Sequence, residues 1–220
     1  MRLAILIGLL FLTATSAWAS AWMRETQKGF LSTSATVLAS DQEVVIEVST
    51  YLDYGLAPWI TVGADWHDRQ GLHGHLVTFA RLPLNRADHR NHLAAEIGLG
   101  GHYNLDGWHP MAKLMLSFGR GFQTRSRQGW IAGDVAVEWR GASGQVLTKM
   151  DWVAGWSGPS YLNPVVWIET AARADGWTGW ALRPGLSWRR NDKSTWIIAY
   201  ERRKTDGYSS GLKLSLWRNF

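Results

Sequence analysis

Along most of this chain, apolar and polar positions alternate with a period of two. Val44, Ile46, Val48, Thr50 and Leu52 share one parity, while Glu47, Tyr51 and Asp53 share the other. Leu93, Ala95, Ile97 and Leu99 alternate in the same way against Glu96 and Gly98. In residues 210–220, Leu212, Leu214, Leu216 and Phe220 fall on one parity, with Arg218 the polar exception, and Lys213, Ser215, Trp217 and Asn219 on the other. Successive side chains of a strand point to opposite faces, so each such stretch predicts a strand with one apolar and one polar face. The pattern places strands at 29–39, 43–54, 59–66, 73–82, 92–101, 111–119, 130–140, 146–156, 161–173, 179–189, 194–203 and 210–220. Connections carry Gly, Asp, Asn, Ser and Pro, as turn chemistry requires. The count is twelve, with ten as the rival if 29–39 or 73–82 is misread. A strand of about ten residues is long enough to cross a bilayer at barrel tilt.

Residues 1–19 read differently. Arg2 supplies a positive start, 3–12 form an apolar run, and Ala17-Trp18-Ala19 is a cleavage site, with 19–21 as a near alternative. A run of about ten apolar residues is half of what a spanning helix needs, so the stretch predicts a cleaved export signal. Residues 20–220 are then a single domain, with 23–28 a short polar lead-in. No later stretch predicts a membrane helix, because the longest uncharged run, 152–168, is broken by Gly155, Gly158, Pro159 and Pro164. Cysteine is absent, so stability must come from backbone pairing and burial. The formal charge of +5 is spread evenly, with no basic run dense enough for nucleic acid.

Fifteen tryptophans are many for a soluble domain of this size. Trp59, Trp130, Trp156, Trp188 and Trp196 fall near one set of strand ends, and Trp66, Trp139, Trp177 and Trp180 near the other. Indole concentrates where hydrocarbon meets water, so the two sets predict two girdles. With the export signal and a last strand ending on the aromatic Phe220, the chain resembles the outer-membrane β-barrels of Gram-negative bacteria. Tyr54-Gly55-Leu56, a short turn, and Ile60-Thr61-Val62-Gly63 is similar to the periplasmic hairpin of small barrels in that group. The resemblance implies a monomeric, antiparallel, up-and-down transmembrane barrel in the cell outer membrane, surrounded by outer-membrane lipid. It also implies periplasmic termini, periplasmic chaperones and the barrel-assembly machinery as partners, and Phe220 as the assembly signal. A soluble barrel with its faces swapped has the same alternation; the signal, the girdles and the final strand favour the membrane.

On four ascending strands a glutamate stands on the polar parity: Glu96, Glu138, Glu169 and Glu201. On the strands that follow, a base does: Lys113, Lys149, Arg183 and Lys213. Taking each pair as direct cross-strand partners puts every hairpin centre inside a predicted loop. Asp65 with His75 or Arg81 is a weaker fifth case, and Asp134 and Asp151 add negative charge nearby. Arg or Lys facing mid-bilayer lipid costs about 2–4 kcal/mol, so these charges must point into the lumen. Two readings follow: long charged side chains that fill and register the barrel, or the constriction of a narrow passive channel for small polar solutes. Barrels of eight strands are filled and those of sixteen are open, so twelve does not decide.

The rival class is a membrane-embedded, lipid-modifying hydrolase. Such a site needs a histidine placed to activate a serine. No His-x-Ser occurs; 73–76 lacks the nucleophile, and Ser209 and Ser210 have no histidine near in sequence. The sequence therefore does not predict an enzyme. His67, His73, His75, His102 and His109 lie in or beside two of the loops and read as solvated rim groups rather than metal ligands. No phosphate-binding loop is present, since 98–101 is strand and turn, and no cofactor is expected.

Overall fold

The computed structural model describes residues 21–41, 43–86, 90–124, 127–141, 144–157 and 161–220. The predicted export signal at 1–19 lies outside the described residues. Among the described residues the chain forms twelve strands: β1 Gly29–Ala39, β2 Val44–Ala57, β3 Ile60–Arg69, β4 His73–Pro83, β5 Asn91–Asn104, β6 Gly107–Gln123, β7 Gln128–Arg140, β8 Gln145–Ser157, β9 Leu162–Arg173, β10 Thr178–Asn191, β11 Ser194–Lys204 and β12 Tyr208–Asn219. Each pairs antiparallel with its sequence neighbours, and β1 pairs with β12, so the sheet closes into a barrel. The twelve-strand reading is correct and the ten-strand alternative is not. β6 departs most from its predicted span, because pairing with β5 and β7 continues through Gly107 and Gln123 at its two ends.

Closure satisfies the backbone groups of every strand, which is what allows strands to cross hydrocarbon. Among the described residues no helix is long and apolar enough to do so. Val37, Ile46, Leu52, Leu99, Leu114, Val137, Ile168, Ile198, Leu212 and Leu214 project outward and are exposed. Glu47, Asp53, Arg81, Glu96, Glu138, Arg183 and Glu201 are buried within. Apolar outside and charged inside is the inverse of a soluble barrel, and so large an apolar surface fits lipid rather than water. Trp59, Trp66, Trp139, Trp156, Trp180 and Trp188 are exposed near strand ends.

Trp130 departs from the predicted girdle. Its parity is that of Ala132 and Glu138, so it points inward and is 5% exposed. A Cβ at Gly155 would lie 2.7 Å from its ring; the glycine makes the room. Trp130 packs with Val165 and Ile197, and Val153, Trp167 and Trp217 close around them. The lumen wall formed by β7–β12 thus carries an apolar layer in the half nearer the two chain termini.

The stretch before β1 departs too. The predicted polar lead-in folds back into the barrel mouth, with Ala21 and Trp22 packed against Ala132 and Val153. Thr26 then forms a parallel bridge to Gly55, and the Gln27 amide donates to the Gly55 carbonyl at 2.8 Å. Trp22 is the apolar element that the polar reading of 23–28 left out of account.

Candidate functional site: the charged lumen

Three of the four predicted charge pairs are in contact. Lys113 Nζ lies 2.9 Å from Glu96 Oε1, Lys149 Nζ lies 2.9 Å from Glu138 Oε1, and Arg183 meets Glu169. Their registers differ from the predicted ones. Lys113 stands directly opposite Gly98, Lys149 opposite Ala136, Arg183 opposite Trp167 and Lys213 opposite Ala199. Every hairpin is therefore displaced by two positions, and the expected direct partners are diagonal neighbours. A shift of two keeps each side chain on its face, and long side chains span the diagonal separation of about 7–8 Å.

The fourth pair does not form. Glu201 instead accepts from Arg183 Nε at 2.6 Å and from Arg203 Nε at 2.7 Å. Arg183 delivers a second bond to the other carboxylate oxygen at 3.3 Å. The planar guanidinium fork satisfies both oxygens together, which the single ammonium of Lys213 cannot do. Among the described residues Lys213 makes no ion pair.

Two longer chains of charge emerge. One runs Glu169, Arg183, Glu201, Arg203, Glu47, and Arg203 holds both Glu47 oxygens, at 2.6 and 2.8 Å. The other runs Arg24, Asp53, Arg81, Glu96, Lys113. Arg81 is fully buried and also donates to the Tyr51 hydroxyl at 2.5 Å. Asp65, the alternative partner considered for Arg81, lies 3.5 Å from His75 Nε2. Burying an ion is costly unless several partners surround it, and each buried carboxylate here has at least two.

Beside the first of these chains, from Glu169 to Glu47, lies a cavity of about 800 Å³ that reaches the rim opposite the chain termini. Glu47, Asp65, Lys149, Asp151, Glu169 and Lys213 are among its lining residues. Asp134 stands opposite Asp151, and Asp151 opposite Glu169, so three carboxylates lie in one cross-strand row. His67, His102 and His109, which fall just outside the predicted strands, lie on strands in register with His75: His67 opposite His75, His75 opposite His102, and His102 opposite His109. They form a row across β3–β6 at the cavity mouth. Among the described residues no group of three His, Cys, Asp or Glu is placed to hold a metal ion. The lumen serines Ser34 and Ser49 hydrogen-bond to each other at 2.7 Å. Phe220 exchanges backbone hydrogen bonds with Gly29 at the β1–β12 seam, at 2.8 and 3.0 Å.

The chain is similar in fold to solved membrane channels. The NanC porin aligns with a TM-score of 0.61 at 9% identity, covering 84% of this chain and 98% of that one. An outer-membrane channel from Pseudomonas putida F1 aligns at 0.59 with 11% identity, over 93% and 100% of the two chains. The KdgM porin aligns at 0.58 with 8% identity, over 86% and 99%. No family model and no curated protein matches the sequence. The fold class is thus a closed, lipid-belted, twelve-stranded barrel of the kind that small porins share.

Proposed function

We propose that this protein is an outer-membrane channel that passes small polar solutes passively through its lumen. The observation that carries this reading is an 800 Å³ cavity, lined by both signs of charge, inside a barrel whose outer surface suits lipid. Carboxylates and bases facing one space offer partners to polar and zwitterionic solutes alike. Glu96, Lys113, Glu138, Lys149, Glu169, Arg183, Glu201 and Lys213 line or underlie the passage, and Lys213 meets solute as a cation without an ion-pair partner among the described residues. The cavity mouth faces the exterior and both termini face the periplasm. Phe220 serves as the signal to the barrel-assembly machinery, periplasmic chaperones deliver the chain, and it works as a monomer in outer-membrane lipid. The inclusion of porins among its structural neighbours supports this reading over the lipid hydrolase. One observation favours a second reading, a closed structural barrel: the apolar layer of Trp130, Trp167 and Trp217.

Planar-bilayer conductance of the refolded barrel separates the two. A channel gives discrete steps whose ion selectivity changes in the Glu169→Ala/Arg183→Ala double variant. A lumen that stays silent in both forms overturns the channel and leaves the structural barrel.

A further inference from the structure

Residues 21–28 add nothing to barrel closure, because β1 meets β12 from Phe30 onward and Gly29 pairs with Phe220. Ala21, Trp22 and Arg24 are nevertheless buried, while Glu25, Thr26, Gln27 and Lys28 are exposed. Trp22 is 9% exposed, and a Cβ at Gly119 on β6 would lie 2.6 Å from its ring. The ring also lies 5.4 Å from that of His92 on β5. Two residues later the chain has reached β2 and β3. The Arg24 amide donates to Thr61 Oγ1 at 3.0 Å, and the Arg24 guanidinium pairs with Asp53. The same guanidinium lies 4.5 Å over the Phe30 ring. The segment therefore bridges the β5–β7 wall and the β2–β3 wall, as a strap across the lumen.

A second cavity, of about 390 Å³, lies at the rim that carries the termini and is lined by Trp22, His92, Phe122 and Trp130, among others. Trp22 of the strap and Trp130 of the Trp130, Trp167 and Trp217 layer both line this second cavity. We infer that the strap forms the exit constriction of the lumen, with Trp22 and Arg24 setting the size of solute that leaves. This rests on the channel reading. Trp22 supplies bulk, and the Arg24–Asp53 pair fixes the strap in place. Through Asp53 the anchor joins Arg81, Glu96 and Lys113, so the exit and the charged lumen share one chain of contacts.

The test is osmotic swelling of liposomes holding the refolded barrel, with neutral sugars from pentose to trisaccharide. Wild type is compared with Trp22→Ala/Arg24→Ala and with a deletion of residues 21–26, each first checked for the compact, heat-modifiable band of a folded barrel. We expect both variants to admit larger sugars than wild type and to swell at least threefold faster with disaccharide. A wild type that swells, with the same size limit in both variants, overturns the exit and leaves the channel standing. Absence of swelling in every form overturns both. Ala132→Cys, beneath Trp22 and fully buried, adds a second readout. A polar thiol reagent should modify it slowly in the wild-type background and at least tenfold faster beside Trp22→Ala/Arg24→Ala; equal rates overturn the seat of the strap.

Discussion

Arg183 belongs to one hairpin in sequence and to three strands in space, since it meets Glu169 on β9 and Glu201 on β11. Glu169 is 40% exposed to the cavity, whereas Glu201 is fully buried. Removing the guanidinium leaves Glu201 with Arg203 alone. Arg183→Ala should cost about 3 kcal/mol, the lower end for breaking a buried pair because that one partner stays. Urea unfolding in lipid vesicles, followed by tryptophan fluorescence, measures it. Adding Glu201→Gln should recover most of the loss, since the penalty lies in the buried charge; no recovery would place it in packing instead. That these charges face inward was legible from parity. Which atoms meet was not, because cross-strand index sums fix a partner only when the register is known, and here it differs by two positions. The Arg203–Glu47 contact was out of reach altogether, since local spacing carries no information about residues 156 apart.

At the scale of the strand, the alternation carried nearly all of the fold, because lipid outside and charge inside leave no freedom to slip by one position. Leu114 and Lys113 are adjacent on β6 yet face opposite media, Leu114 60% exposed and Lys113 8%. Leu114→Arg should therefore destabilise the barrel by about 2–4 kcal/mol. The heat-modifiable band after refolding into vesicles reports this as a lower folded fraction; an unchanged fraction would contradict the lipid-facing assignment. The alternation was less informative about aromatic residues. Trp130 satisfies the position expected of a girdle and the parity expected of the lumen, and parity prevails because the pleat dictates the face. Trp217 sits on the polar parity of β12 for the same reason, and there it closes the apolar layer with Trp130 and Trp167. Imidazoles that sequence assigned to loops lie in a strand row because β3, β5 and β6 extend further toward that rim than the alternation indicated.

In the whole molecule, the seam between β1 and β12 is where the sheet must close last if pairing proceeds along the chain. On β1 the lumen-facing side chains Ser32, Ser34 and Thr36 are small, and Ser215 of β12 stands opposite Ser34. Arg203 on β11 reaches past both strands to Glu47 on β2. This contact exists only once the circle is complete, so it has no part in the early stages of assembly. Interactions absent from the folding transition state act on the rate of unfolding and hardly on the rate of folding. Glu47→Gln should therefore leave the refolding half-time nearly unchanged while unfolding in denaturant speeds up by about tenfold, the equivalent of about 1.4 kcal/mol; an equal slowing of refolding would show that the contact forms early. Bridging two intervening strands, this one pair works as a clasp on a ring. Its effect is on how long the closed barrel lasts once made, a matter of lifetime in the membrane rather than of how readily it forms.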